Sequence, residues 1–260
     1  MDHNPTILLT FDVEEFDLPL EYNLVISLEE QLEIGRAGTI EIKKIIESQQ
    51  IDATLFTTAN FADHFPALIK NLSLNNEIAS HTYYHSRFEK ADLLLSKIRL
   101  EEITGSAVNG LRMPRFKKIE TAWVKEAGYK YDSSVNPTYI PGRYNNLKVS
   151  RTVFEENGLT VLPVSVSATM RFPLFWMAFK NIPYPVYKKM ALDVLKKDGY
   201  LSLYFHPWEF TDITKWKIPF YLKKLCMNQL SDRLNMLIKD LKKEGEFKTI
   251  SAFLNNYADM

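Results

Sequence analysis

The sequence predicts an α/β fold built from parallel strand–helix units. Short apolar runs that stop abruptly at polar residues alternate with longer stretches of helical spacing. The alternation runs the length of the chain with no internal repeat, low-complexity segment or Pro/Gly/Ser-rich linker. At 260 residues the chain is long for an average domain, yet α/β barrels of this length are ordinarily single units, so one domain over 1–260 is expected.

Thr6 to Phe11 is apolar, ends at Asp12 and reads as a buried strand. Leu28 to Gln49 has helical spacing, Ala53 to Thr57 reads as a strand, and Asn60 to Asn71 as a helix. Glu77 to Ser80 is a brief strand leading into His81, and Leu93 to Ile103 is helical. Gly110 to Met113 is a short strand, and Thr121 to Ala127 a helix closed by Gly128. Tyr129 to Val135 and Leu159 to Val166 are strand candidates. Val186 to Lys197 is a helix stopped by Asp198-Gly199, Tyr200 to Phe205 a last strand, and Phe220 to Leu241 a terminal helix. Asp12, His81, Arg112 and His206 all sit just past apolar strands. In a parallel barrel the C-terminal strand ends share one face, where active sites are built. A single sheet with helices on both faces is the alternative.

Composition narrows the function. Lys+Arg and Asp+Glu are both 32, for zero net charge, which argues against a nucleic-acid protein, normally basic or basic-patched. Aromatics make up 13%, enough for a well-filled core or an aromatic-walled cleft for a flat ligand such as a sugar. Cys226 is the only cysteine, consistent with a reducing compartment. The N-terminal stretch carries neither a basic n-region nor an apolar h-region of signal length, and no stretch approaches the roughly 18 apolar residues of a spanning helix. A cytoplasmic protein without membrane spans is expected, able to sit at the inner membrane surface.

His81-Thr82-Tyr83-Tyr84-His85 is the most informative segment. On a helical turn, residues at i and i+4 share a face, so both imidazoles can reach one ion. Asp12-Val13-Glu14 comes next: in an extended segment positions 12 and 14 point the same way, one carboxylate to a metal and one free as a base. By itself this segment reads more readily as a solvated acidic loop, because Glu15 and Asp17 are acidic too. His206, at the mouth of a strand in Leu203-Tyr204-Phe205-His206-Pro207-Trp208-Glu209, suits proton transfer near neutral pH. Arg112 has a fork suited to clamping a carboxylate. His3 and His64 belong to no cluster and are expected to be structural or exposed.

Together these motifs resemble those of the polysaccharide deacetylase family with the NodB homology domain, carbohydrate esterase family 4. Thr10-Phe11-Asp12-Val13-Glu14 is similar to its first motif, with a residue between the two acids; His81 to His85 matches H-S/T-x-x-H, Arg112-Met113-Pro114 matches R-x-P, and Leu203 to His206 matches L-x-x-H. Tyr131-Asp132-Ser133-Ser134 and the closing His-Pro-Trp-Glu are similar to a subgroup tied to exported or surface polysaccharides. The resemblance implies a distorted (β/α)7-8 barrel and metal-dependent removal of acetyl from an N-acetylated sugar. It implies Glu14, His81 and His85 as ligands of one divalent ion, zinc first and cobalt or nickel otherwise. Asp12 becomes the general base, His206 the general acid, and Arg112 the residue that holds Asp12 ionised and oriented. Leu203 lines the acetyl pocket, and Arg115, Phe116 and Trp208 join it in contacting substrate. A zinc-like ion would make water acidic, with a pKa of about 7, and polarise the amide carbonyl, with a backbone N–H near Arg115 helping to hold the oxyanion.

Three departures stand out. The metal carboxylate is Glu14 rather than aspartate. Arg115 stands where an aromatic usually follows the third-motif proline, with Phe116 one place later. The fourth motif, whose aspartate tunes the acid histidine, has no clear match; Asp132 and Glu209 are the candidate substitutes. The aromatic and proline-rich segment from Met170 to Tyr187 is expected to be a packed loop over the barrel, or else a lid that meets a long glycan or its lipid carrier. The expected partner is an N-acetylated glycan or its nucleotide- or lipid-linked precursor, and no nucleic acid. Hydrolysis of a non-sugar amide or an O-acetyl ester uses the same residues and stays open. A catalytically silent glycan-binding module is the rival from another class.

Overall fold

The computed structural model describes residues 4–257, so His3 lies outside the described residues. The strands are β1 (Thr6–Val13), β2 (Thr54–Thr57), β3 (Glu77–Ser80), β4 (Gly110–Leu111), β5 (Tyr131–Asp132), β6 (Tyr139–Ile140), β7 (Tyr144–Asn145), β8 (Phe154–Glu156), β9 (Leu159–Val161), β10 (Tyr200–Phe205) and β11 (Glu246–Phe247). The helices are α1 (Leu28–Gln49), α2 (Ala59–His64), α3 (Pro66–Leu72), α4 (Ala91–Thr104), α5 (Thr121–Glu126), α6 (Trp176–Asn181), α7 (Tyr184–Asp198), α8 (Phe220–Lys223), α9 (Met227–Leu241) and α10 (Ile250–Tyr257).

The main sheet runs β10-β1-β2-β3-β4-β5-β9-β8, with β11 also paired to β1. All its pairs are parallel except β8 with β9. The sheet curls until its two sides nearly meet, and residues 162–165 bridge the gap. Leu162 N donates to Asp132 O at 2.9 Å, Val164 N to Val135 O at 2.9 Å, and Ser165 N to Ser202 O at 2.9 Å. This is the distorted (β/α) barrel expected from the sequence, rather than a flat sheet covered on both faces.

Register decides what faces the interior. Asp12 pairs with Phe56 and Phe56 with Ala79, while Leu9 pairs with Leu203 and Phe11 with Phe205. Laterally paired residues of a parallel sheet share a face, and successive residues alternate. Leu8, Phe56, Ala79, Tyr131, Leu162 and Tyr200 therefore meet inside the barrel, and Ile250 and Phe253 of α10 join their cluster. The same inner row carries on through Thr10, Asp12, His81, Arg112, Tyr204 and His206 at the C-terminal ends. Leu9, Phe11, Val13, Leu201, Leu203 and Phe205 belong instead to the larger core shared with α1, α7 and α9.

Several expected boundaries shift for identifiable reasons. The helix expected over 60–71 divides into α2 and α3 where Phe65 leaves the helical region ahead of Pro66. The helix expected over 220–241 divides into α8 and α9. Asn181 Nδ2 takes the Tyr221 carbonyl at 2.8 Å and Lys180 Nζ the Leu222 carbonyl at 2.8 Å, and Leu225 turns left-handed at φ 51°. The strands over 129–135 and 159–166 shorten to β5 and β9. The 170–187 segment supplies α6 and the start of α7. α1 ends where expected, capped by Ser27 Oγ on Glu30 N at 3.1 Å and by left-handed Gln50.

α1 carries two glycines three residues apart that let backbone approach. A Cβ on Gly35 would meet the Glu14 carbonyl oxygen at 2.5 Å, and one on Gly38 would meet the Pro207 carbonyl oxygen at 2.0 Å. The segments bearing Glu14 and His206 thus both rest on one bare strip of α1. Gly38→Ala is expected to destabilise the chain by about 3 kcal/mol, at the upper end for overpacking. Thermal unfolding should show this as a fall in Tm of roughly 6–12 °C; an unchanged Tm would mean that the strip is not under load.

Candidate active site

β1 delivers Asp12 and Glu14 to the mouth of the barrel, where both are buried along with Glu15 and Asp17. The solvated acidic loop that composition favoured is not what forms. Each of these acids has a protein partner. Glu15 accepts from Thr58 Oγ1 at 2.8 Å and from Asn60 Nδ2, and Asp17 lies 2.8 Å from His85 Nδ1 and 2.8 Å from Arg115 Nη2.

His81 follows directly on β3 in line with the inner row, and His85 comes after it in a loop. The helical turn expected to align them is absent: Thr82 is left-handed at φ 63°, a costly state for a β-branched residue, of order 1–3 kcal/mol. Surrounding bonds impose it. Thr82 N donates to Ser80 Oγ at 3.1 Å, Thr82 Oγ1 donates to Tyr84 O at 3.0 Å, and Ala59 N donates to Thr82 O at 3.0 Å. The sharp reversal brings the rings into a stack with centroids 5.7 Å apart.

The three predicted ligands come together. Glu14 Oε2 lies 3.1 Å from His81 Nε2 and 3.0 Å from His85 Nε2, and one donor atom from each residue falls within 4.8 Å of the other two. The remaining atoms of the set are committed elsewhere. His81 Nδ1 faces the Arg112 carbonyl at 2.8 Å, His85 Nδ1 faces Asp17, and Glu14 Oε1 accepts from Trp208 Nε1 at 3.0 Å. Both Nε2 atoms are thereby directed at Glu14 Oε2, a buried oxygen that accepts no hydrogen bond among the described residues. Two imidazoles and a carboxylate, each oriented from behind, fit a divalent transition ion with open positions. Burial works against the charged form of His85, but the Glu14 and Asp17 carboxylates prevail and raise its pKa to about 9. The Glu14 carboxyl is held well below its usual range: burial opposes this, and His85, His206 and His81 outweigh it.

Asp12 is held by Arg112, whose Nη1 donates to Asp12 Oδ1 at 2.7 Å and to Thr10 Oγ1 at 2.8 Å. Arg112 Nη2 also reaches Ser133 Oγ at 3.0 Å, and the Phe56 ring lies 4.0 Å from the guanidinium. The other oxygen, Asp12 Oδ2, lies 4.0 Å from His206 Nε2. His206 is stacked on Trp208 at 4.8 Å and meets Trp176 edge-on at 5.3 Å. Glu209 Oε1 accepts from the His206 backbone at 2.8 Å and lies 3.1 Å from its Nδ1. Burial pushes the His206 pKa down, yet Glu14, Glu209 and Asp12 together set it above the ordinary imidazole value.

The cleft over these groups has a volume of about 330 Å³ and is walled by Phe116, Tyr144, Phe175, Trp176, Tyr204 and Trp208, among others. Arg115 lines it too, but its guanidinium is bound to Asp17 and to Glu21 at 2.6 Å. Arg115 and Phe116 are both left-handed. Phe116 N donates to Met113 O at 3.0 Å, so an oxyanion donor here would be the Arg115 amide. Trp208 reaches the cleft but spends its indole N–H on Glu14, an orienting role that the sequence did not reveal.

Two expectations need correcting. Leu203 does not line the cleft: register puts it with Leu9 on the helix-facing side, and Tyr204, two residues before His206, occupies the inner row instead. Asp132 does not support His206. It pairs laterally with Leu111, facing away from the inner row, and bonds Ser134 N at 2.9 Å. Burial pushes its carboxyl up to about 6, against its bonds to Ser134. Glu209 sits where the missing fourth-motif acid was sought. His64 lies apart, with Nδ1 2.8 Å from Asn60 O. No site role was legible in the sequence for Asp17, Thr10, Ser133 or Lys180. Thr10 and Ser133 fall inside quoted motifs and Asp17 in the acidic segment, whereas Lys180 left no signal.

The profile of the polysaccharide deacetylase family matches residues 2–131, half of the chain. The chain belongs to the polysaccharide deacetylase family. No curated protein matches the sequence. Among solved structures, the allantoinase Puue is 17% identical with a TM-score of 0.69, covering 98% of this chain and 90% of its own. The Xyl-CE4 domain of a multidomain xylanase from the hindgut metagenome of Trinervitermes trinervoides is 14% identical, with a TM-score of 0.55 and coverage of 98% and 92%. A family 4 pseudoenzyme from Bacillus anthracis is 12% identical, with a TM-score of 0.53 and coverage of 97% and 66%. At these identities the likeness is one of fold. Among the described residues, no helix is long and apolar enough to cross a membrane.

Two outcomes follow for this member of the deacetylase family. Because the raised His85 pKa makes a proton compete with the ion, zinc binding near pH 7.5 should release about one proton. Affinity should then rise about tenfold per pH unit up to roughly pH 9, measured calorimetrically in buffers of different ionisation enthalpy; pH-independent binding would contradict this. Trp208→Phe keeps an aromatic side chain and removes the donor to Glu14, and should weaken zinc binding by about 10–100-fold in a competition assay with a chelating dye.

Proposed function

We propose that the chain is a metal-dependent N-deacetylase acting on an N-acetylhexosamine-containing glycan or glycan precursor. One observation carries the reading. The buried Glu14, His81 and His85 set opens onto the same cleft as Asp12, clamped by Arg112, and His206, oriented by Glu209. Base and acid thus flank the space beside a ligand set suited to zinc, cobalt or nickel.

A divalent ion held there supplies Lewis acidity, polarising an amide carbonyl and easing the ionisation of water near neutral pH. The chain's own groups do the rest. Asp12 Oδ2 accepts the proton of the attacking water, while Arg112 keeps the carboxylate turned toward the cleft. His206 Nε2 gives a proton to the departing amine as the C–N bond breaks. Glu209 fixes the ring so that this nitrogen faces the cleft. The products are acetate and a free amino sugar. The Arg115 amide is the donor assigned to the developing oxyanion.

The aromatic walls suit a sugar ring, whose C–H faces pack on π surfaces while its hydroxyls find polar partners. Phe116, Tyr204 and Trp208 take the substrate contacts, and Arg115 acts chiefly by bracing Asp17 beside His85. The whole of 1–260 is taken as one catalytic unit. The substrate is taken to be a nucleotide- or lipid-linked intermediate of surface polysaccharide synthesis, after the likeness of Tyr131-Asp132-Ser133-Ser134 and His206-Pro207-Trp208-Glu209 to that subgroup.

The test pairs metal content by mass spectrometry with acetate release from N-acetylated oligosaccharides. Asp12→Asn should keep the ion and lose about 10²–10⁴ in kcat, whereas His81→Ala should lose both ion and activity. Full activity in the Asp12 variant would refute its role as base. Bound metal with no acetate release from any N-acetylated or O-acetylated glycan would favour a glycan-binding module.

A further inference from the structure

Lys180 is an anomaly in α6. Its side chain is fully buried, as is that of Glu209, and Nζ lies 3.5 Å from Glu209 Oε2. An ammonium is seldom buried without a specific partner, and an apolar side chain would fill the same volume without the desolvation penalty. Nζ donates to the Leu222 carbonyl at 2.8 Å. Among the described residues Glu209 Oε2 accepts no hydrogen bond, so its compensation comes from the Lys180 charge. Burial lowers the Lys180 pKa and Glu209 works against that.

The other oxygen of the same carboxylate is the one bound to the His206 backbone and Nδ1. Residues four apart share a helix face, and Trp176 and Lys180 do so on α6. Trp176 meets the His206 ring edge-on, and Lys180 holds the carboxylate that bonds this ring. α6 thus grips His206 twice, once by packing and once by charge.

We propose that Lys180 is a positioning residue for His206: by compensating Glu209 inside the core, it keeps that carboxylate on Nδ1 and so keeps Nε2 aimed at Asp12 and the cleft. This rests on the deacetylase reading only for its kinetic consequence; the orientation of the ring is a property of the chain itself.

The experiment uses the full zinc-loaded chain with Lys180→Met, Glu209→Gln and the double variant. Nitrogen NMR of the imidazoles, followed through a pH titration into the range where the ring is neutral, reports the His206 tautomer, and steady-state kinetics report kcat and KM separately. In the parent, Nδ1 of His206 should carry a fixed, strongly hydrogen-bonded proton. Lys180→Met should turn this into a mixture of tautomers and lower kcat about 100-fold, the scale of a misplaced catalytic group, with KM within about twofold. The double variant should be no worse than either single one, because the residues act as a pair. A folded Lys180→Met variant with the parental tautomer and parental kcat would overturn the proposal. If Lys180→Met fails to fold, the double variant should fold, since no lone charge remains; a double variant that also fails, or that folds with the parental tautomer, overturns it equally. A parent that hydrolyses no acylated glycan removes the deacetylase reading, while the tautomer measurement still decides the role of Lys180.

Discussion

A fully buried guanidinium organises the mouth of this barrel. Arg112 leaves the short β4 strand and spans the interior to Thr10 and Asp12 on β1 and to Ser133 just past β5, with the Phe56 ring of β2 against its face. Thr10 Oγ1 in turn donates to Leu203 O on β10. One side chain therefore ties opposite sides of a sheet that does not close by a continuous ladder. Such a charge is tolerated in the interior only because its donors are used and Asp12 balances it. Removing one partner of a buried pair typically costs about 3–5 kcal/mol. The orientation of the candidate base and the shape of the barrel mouth are thus one constraint.

The ligand set depends on a second kind of restraint. Glu14 has one oxygen occupied by Trp208, and each imidazole has Nδ1 occupied by a carbonyl or a carboxylate. Glu14 and His81 are held from behind by hydrogen bonds and His85 by its close contact with Asp17, so little freedom remains to be lost when an ion binds. The left-handed Thr82 belongs to the same economy. Its conformation is unfavourable alone and is held by Ser80, Tyr84 and Ala59. The bare strip of α1 at Gly35 and Gly38 lets both the Glu14 and Pro207 backbones settle close enough for Trp208 to bond Glu14.

Charge is arranged in the cleft so that acids and bases come in supported pairs. Arg112 stands behind Asp12, Asp17 behind His85, and Glu209 behind His206, with Lys180 behind Glu209 in turn. Across the space, Asp12 Oδ2 and His206 Nε2 are left facing one another at 4.0 Å. Two titratable groups held apart by different supports are the general arrangement for a base and an acid that act in sequence. The zero formal net charge of the whole chain says nothing of this local order.

Much of the architecture was legible along the chain. Strands such as Tyr200–Phe205 and the helix Leu28–Gln49 follow from short apolar runs, helical spacing and stop signals, which are local properties. The acids and histidines at strand exits were also visible, because parallel β/α units send such positions to one end. Facing and support were not legible. Leu203 and Tyr204 are adjacent and both apolar enough for a core, and only the register with β1 assigns Tyr204 to the cleft. Asp132 and Glu209 looked equivalent as partners for His206 until pairing turned one outward and the 3₁₀ turn after β10 brought the other under the ring. The acidic run from Glu14 to Asp17 read as solvated because its partners, Thr58, His85, Trp208 and Arg115, lie far away in sequence. The chain by itself determined which residues and which periodic elements exist; the tertiary structure decided which side chains meet, because burial, register and the pairing of charges depend on neighbours that only folding supplies.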